Sequence, residues 1–212
     1  MNIKLHILNA SGKLTPYVQY IEKTFLPTVE KVLQVLPVDN TDIVVWEYPD
    51  WTIEQYGIGG HTMMPNEIMI SLNPSNPRIQ TSFSKIFEQT IVHEMHHAAR
   101  LQALGFDYAS RLEISIREGL AEHFEIELTD KKPEIWDRAL TKEQLGKFSE
   151  IAKTNKSVDD YHVYDWLFGK KELDIPEWTG YSVGFYLVEE YLKKHPREKP
   201  SSIYNKKAEE FI

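Results

Sequence analysis

The chain has 212 residues, 42% of them hydrophobic and 12% aromatic, which suits a globular protein with a substantial core and excludes a disordered chain. Its formal charge of −8 argues against a nucleic-acid binder, whose affinity rests on Lys and Arg at phosphates. Cysteine is missing altogether, so disulfides, thiolate metal sites and a Cys nucleophile are excluded together.

At the amino terminus, the apolar residues of Met1–Ser11 are interrupted by Asn2, Lys4, His6 and Asn9, unlike the continuous apolar core of a signal peptide. No stretch reaches the roughly 18 apolar residues of a membrane span. The expectation is a soluble, cytoplasmic protein with no membrane partner. Ile3 to Leu8 reads as an opening strand. Thr15 before Pro16 looks like a helix N-cap, with helical spacing from Tyr17 to Leu36 and a kink or break at Pro27. Asp42 to Tyr48 is a strand by its β-branched and aromatic content. Gly57 to Thr62 and Glu67 to Leu72 read as two strands joined by a turn at Pro65-Asn66, followed by a loop over Asn73–Pro77.

Helices dominate thereafter. Phe83 to Leu104 is one long helix with Gly105 at its C-terminal cap. Ser110 can cap a second helix running to about Leu128, and Thr141 with Gln144 makes a capping box for a third to about Lys153. Asn155 to Trp178 is aromatic and irregular, and Gly180 to Lys194 is a last helix stopped by Pro196.

The chemistry concentrates in His93-Glu94-Met95-His96-His97, which satisfies H-E-x-x-H. Residues four apart on a helix lie one turn apart on one face, so His93 and His97 can reach a single cation. Glu94 then sits beside the metal, where it can take a proton from water. His96 projects about 100° away and falls outside the site. A catalytic zinc site has three protein ligands and one open position, and no Cys or second histidine motif follows His97. A carboxylate from the next helix fits: Glu118 in Arg117-Glu118-Gly119-Leu120-Ala121-Glu122, among apolar neighbours. The chain between His97 and Glu118 is long enough to turn and return antiparallel, and Gly119 and Ala121 are small enough for close helix approach. Glu122, one turn on, is placed to accept a ligand histidine's second ring N–H. The competing assignment makes Glu122 the ligand and leaves Glu118 outside.

HEMHH and EGLAE on consecutive helices resemble the gluzincin metallopeptidases, whose third zinc ligand is such a glutamate. The wider set GIGGHT, EIMISLN, HEMHHAAR, EGLAEHFE and GYSVGFYLVEEYL, over residues 57 to 192, resembles a bacterial family of predicted Zn-dependent proteases of unknown function. Gluzincins often carry Asn before the ligand Glu and Asp four residues after it. Here Arg117 and Glu122 hold those positions.

The resemblance implies a zincin-like α+β fold: a small N-terminal sheet whose edge strand packs on the active-site helix, and a mostly helical C-terminal part. It also implies a Zn2+ cofactor and a peptide or protein substrate. A Tyr or His further along would stabilise the oxyanion; Tyr181 is the first choice, with Tyr161, His162 and Tyr164 as rivals. An extended peptide would pair with the glycine-rich strand, where Gly59 and Gly60 suit close backbone approach. The expected organisation is one domain over 1–212, with a strand-rich part at 1–79 and a helical part at 80–212 carrying the metal site. Two other readings compete with the peptidase: a zinc hydrolase of another amide or ester, and a binding or regulatory module that keeps the metal for structure.

Overall fold

The computed structural model describes residues 2–105, 110–154 and 163–212, and the chain divides into two compact units, Met1–Gly105 and Phe106–Ile212. The first holds β1 (Ile3–Leu8), α1 (Thr15–Leu33), β2 (Thr41–Glu47), β3 (Ile58–Met64), β4 (Glu67–Leu72) and α2 (Phe83–Leu104). Its four strands form a mixed sheet in the order β1-β2-β4-β3. β1, β2 and β4 run parallel, while β3 pairs antiparallel with β4 and forms an edge.

The alternation on β2 shows why the sheet is covered on one face. Thr41, Ile43 and Val45 are buried while Asp42 and Val44 are not. Ile68 and Ile70 of β4 lie level with Ile43 and Val45 and are fully buried with them. The apolar stripes of the two helices, Ile21, Phe25, Val29 and Val32 on α1 and Phe87, Ile91, Met95 and Ala98 on α2, complete the core. Tyr17 packs on Phe83 across the two helices at 5.1 Å between ring centroids.

Two local expectations for α1 are corrected. The N-cap is Leu14, not Thr15, and Asn9 supplies the side-chain bonds there: its Oδ1 accepts from the Leu14 N–H at 2.9 Å and its Nδ2 donates to the Thr15 hydroxyl. The helix also runs on through Pro27. Pro27 is exposed, so the backbone bond it cannot make lies on the solvent side, and buried residues on both sides of it fasten the helix to the core.

The second unit is helical: α3 (Arg111–Leu128), α4 (Lys142–Thr154), α5 (Val163–Phe168) and α6 (Thr179–Lys194), with short 3-10 turns between and after them. The Ser110 hydroxyl caps α3 by accepting from the Glu113 N–H at 3.0 Å, and Thr141 and Gln144 form the reciprocal capping box of α4. α5 falls where irregular chain was expected. Its Trp166 is buried, with its indole donating to Ser115 at 2.9 Å. α3 and α6 cross at their glycines. A Cβ on Gly119 would overlap the Gly184 carbonyl, and one on Gly184 would overlap the carbonyl of Ser115. Gly119 thus serves the α3–α6 contact, a partner that the sequence does not reveal. No described helix is long and apolar enough to cross a membrane.

Candidate metal centre

α2 presents its functional residues because its apolar stripe is pinned against the sheet and α1. His93 is half-buried and His97 buried, one turn apart, with ring centroids 4.5 Å apart and planes at 89°. The spacing read from the sequence therefore brings both imidazoles to one side of the helix. His96 is fully buried.

Glu94 is only 5% exposed and faces β3. The Thr62 hydroxyl lies 2.6 Å from Glu94 Oε2 and 3.1 Å from the Glu94 carbonyl oxygen. One hydroxyl carries one proton, and the shorter, charge-assisted bond to the carboxylate takes it. On the other side stands Gly60, where a Cβ would overlap Oε1 and Cγ of Glu94 and come within 2.7 Å of the Thr90 methyl carbon. The carboxylate is boxed between a hydroxyl and a bare backbone. Sequence reading singled out this strand but not Thr62; the one signal for it is its position two residues after Gly60, on the same face.

The two glycines of β3 differ. The Asn73 N–H donates to the Gly57 carbonyl at 2.9 Å, and hydrogen-bonded pairs alternate along an antiparallel ladder. Gly59, level with Ser71, therefore turns its backbone polar groups toward β4, and a Cβ there would overlap the Trp51 carbonyl. Ile58 and Gly60 turn theirs toward the sheet edge, and beyond His61 the β3–β4 register slips. The Ile58 carbonyl accepts from the Ile53 N–H at 3.1 Å, so Gly60 is the first edge-facing residue beyond that bridge. His61 is half-buried against the Trp51 ring, at 4.7 Å.

In the second unit, Glu118 is 4% exposed on α3, and the Arg117 guanidinium lies 3.2 Å from its Oε1. Glu122, one turn on, has its own partners within this unit. The Trp136 indole donates to its Oε1 at 2.9 Å and the Lys131 ammonium to its Oε2 at 2.7 Å. Lys131 also reaches Glu125 at 2.8 Å. Burial alone would lower the Lys131 pKa, but the carboxylates of Glu125 and Glu122 outweigh it and hold the pKa above the ordinary lysine range. Close by, burial first and the charge of Glu122 second push the Asp137 carboxyl up to about 8. His123 stacks on Phe185 with centroids 4.1 Å apart, and burial lowers its pKa despite a ring-nitrogen contact to the Phe185 carbonyl. Tyr181, on α6, is half-buried against Phe168 and Trp178. Tyr164 is exposed and stacks on Phe168, while Tyr161 and His162 lie outside the described residues.

His93, His97 and Glu118 are each of a kind that could hold a metal ion, and two imidazoles with a carboxylate are a recurring donor set of catalytic zinc. A helix bearing H-E-x-x-H, its glutamate held by an edge strand, is an arrangement that could serve a metal site. The particular family follows: the chain belongs to the one described as "Predicted Zn-dependent protease (DUF2268)", whose model matches residues 21–212 and so takes in parts of both units. No curated protein and no solved structure shows a significant match.

Proposed function

We propose that the chain is a zinc-dependent peptidase of the gluzincin type, with a zincin-like fold, working on peptide or protein segments in the cytoplasm. His93, His97 and Glu118 would hold the ion. When bound, zinc supplies Lewis acidity, which polarises the scissile carbonyl and makes water acidic enough to give up a proton near neutral pH. Every other task falls to the chain's own side chains. Glu94 takes the proton of the attacking water and passes it to the leaving amine. Tyr181 donates its phenolic proton in a hydrogen bond to the oxyanion. An extended substrate pairs with the outer edge of β3, with Gly60 rather than Gly59 offering its backbone groups. Glu122 acts outside the ligand set.

The observation that carries this reading is the placing of Glu94: a buried carboxylate, next in sequence to His93, held by one hydroxyl against a glycine. Metal analysis with activity tests it. The purified protein should hold about one zinc per chain. Glu94→Gln should keep the zinc and abolish cleavage of a peptide library that the wild type digests. Cleavage surviving in Glu94→Gln would overturn the assignment of the base. Zinc without cleavage of any peptide by the wild type would favour a metal-holding binding module.

A further inference from the structure

We infer that Thr62 is a positioning residue for the general base, making the strand that would receive substrate and the carboxylate that acts on it one mechanical unit; the inference rests on the peptidase reading. Three observations meet at this point. First, the Thr62 hydroxyl is buried and bonded to Glu94 Oε2 at 2.6 Å, so that oxygen is held on the β3 side. Second, Gly60 lies against Oε1 and Cγ of the same carboxylate, so a side chain at that position would displace it. Third, Gly60 lies in the edge-facing phase of β3, where an added strand forms its main-chain hydrogen bonds, and Thr62 follows two residues on, where the β3–β4 register slips.

Physically, a carboxylate on two methylenes has rotamer freedom that a base cannot keep if it must meet a proton at hydrogen-bond distance. With Oε2 tied to Thr62, one carboxylate oxygen is left for proton transfer and its direction is fixed. Packing on the glycine removes the remaining swing. An extended chain seated on the outward groups of Gly60 stiffens the strand whose Gly60 and Thr62 hold Glu94. Binding and base placement are thus linked through a strand, with no lid or loop movement. Thr62 touches neither substrate carbonyl nor metal in this scheme; it acts through Glu94.

The test compares Thr62→Val, which keeps the shape and loses the hydroxyl, with Thr62→Ser, which keeps the hydroxyl and loses a methyl. In the zinc-loaded full chain, Thr62→Val should lower kcat by about 10- to 100-fold, with KM and zinc content within about twofold of wild type. Thr62→Ser should recover kcat to within about threefold of wild type. Crystal structures of both variants supply a readout independent of turnover. The Glu94 carboxylate should leave its wild-type rotamer in Thr62→Val and return to it in Thr62→Ser. An unmoved Glu94 in Thr62→Val, or equal losses in the two variants, would overturn the inference. If the wild type cuts no peptide, the peptidase reading fails separately, and the crystallographic comparison still decides whether Thr62 sets the position of Glu94.

Discussion

The two units bury carboxylates in opposite ways. In the first, a single neutral hydroxyl and a glycine hold Glu94, leaving it an acceptor with spare capacity. In the second, Glu122 and Glu125 share the Lys131 ammonium and Glu122 also takes the Trp136 indole. Asp137 sits beside them with Oδ1 buried and without a hydrogen-bond partner among the described residues, and its burial favours the neutral acid. Glu94 is positioned by a neutral hydroxyl and a bare backbone, whereas Glu122 and Glu125 are neutralised by a cation. Residue type alone does not separate the roles; the partners do.

The sharpest way to break this contrast is to remove the cation. Lys131→Met removes the ammonium that the buried Glu122 and Glu125 share and should cost about 3–5 kcal/mol in chemical denaturation. A loss below about 1 kcal/mol would show that Lys131 is not what holds them.

The glycines offer a paired comparison. Gly119→Ala drives a Cβ into α6 backbone and should cost about 3 kcal/mol by the same measurement. Gly60→Ala meets side chains rather than backbone, Oε1 and Cγ of Glu94 and the Thr90 methyl. It should cost less stability but lower kcat about 100-fold by displacing Glu94. Equal stability losses with unchanged kcat would erase the distinction between a packing glycine and a positioning one.

pH gives a third handle. Burial, with the nearby Glu122 charge, raises the folded pKa of Asp137 to about 8, so the native state binds a proton that the unfolded chain releases near pH 4. The Asp137 contribution therefore lowers stability as pH rises from about 4 to about 8. Asp137→Asn should flatten this slope and be relatively more stable at pH 8 than at pH 5, as read by thermal melts across the range. Parallel profiles for the two proteins would contradict it. The smallest effect belongs to the α3 cap: Ser110→Ala should cost about 1 kcal/mol and leave zinc content unchanged.

What could be read from the sequence follows interaction range. The H-E-x-x-H spacing, the caps at Ser110 and Thr141, the β3–β4 pairing and the ends of α2 are all set by residues within a turn or a hairpin of one another, and each is found as expected. Thr62 and Glu94 are distant in sequence, as are Gly119 and Gly184, and no local pattern announces either contact. α5 was hidden because its aromatic residues carry no helical period over so short a run. Gly59 and Gly60 look equivalent in sequence, and only the ladder phase of β3 separates them. The bonds that Lys131 and Trp136 make to Glu122 come from residues beyond its helix and give no signal in advance.

The ligand set can be tested directly by diffraction from crystals of the zinc-loaded protein at energies above and below the zinc absorption edge. One anomalous peak is expected, about 2.0–2.2 Å from a ring nitrogen of His93, a ring nitrogen of His97 and a carboxylate oxygen of Glu118. A peak bound by Glu122 in place of Glu118, or one remote from both histidines, would contradict it.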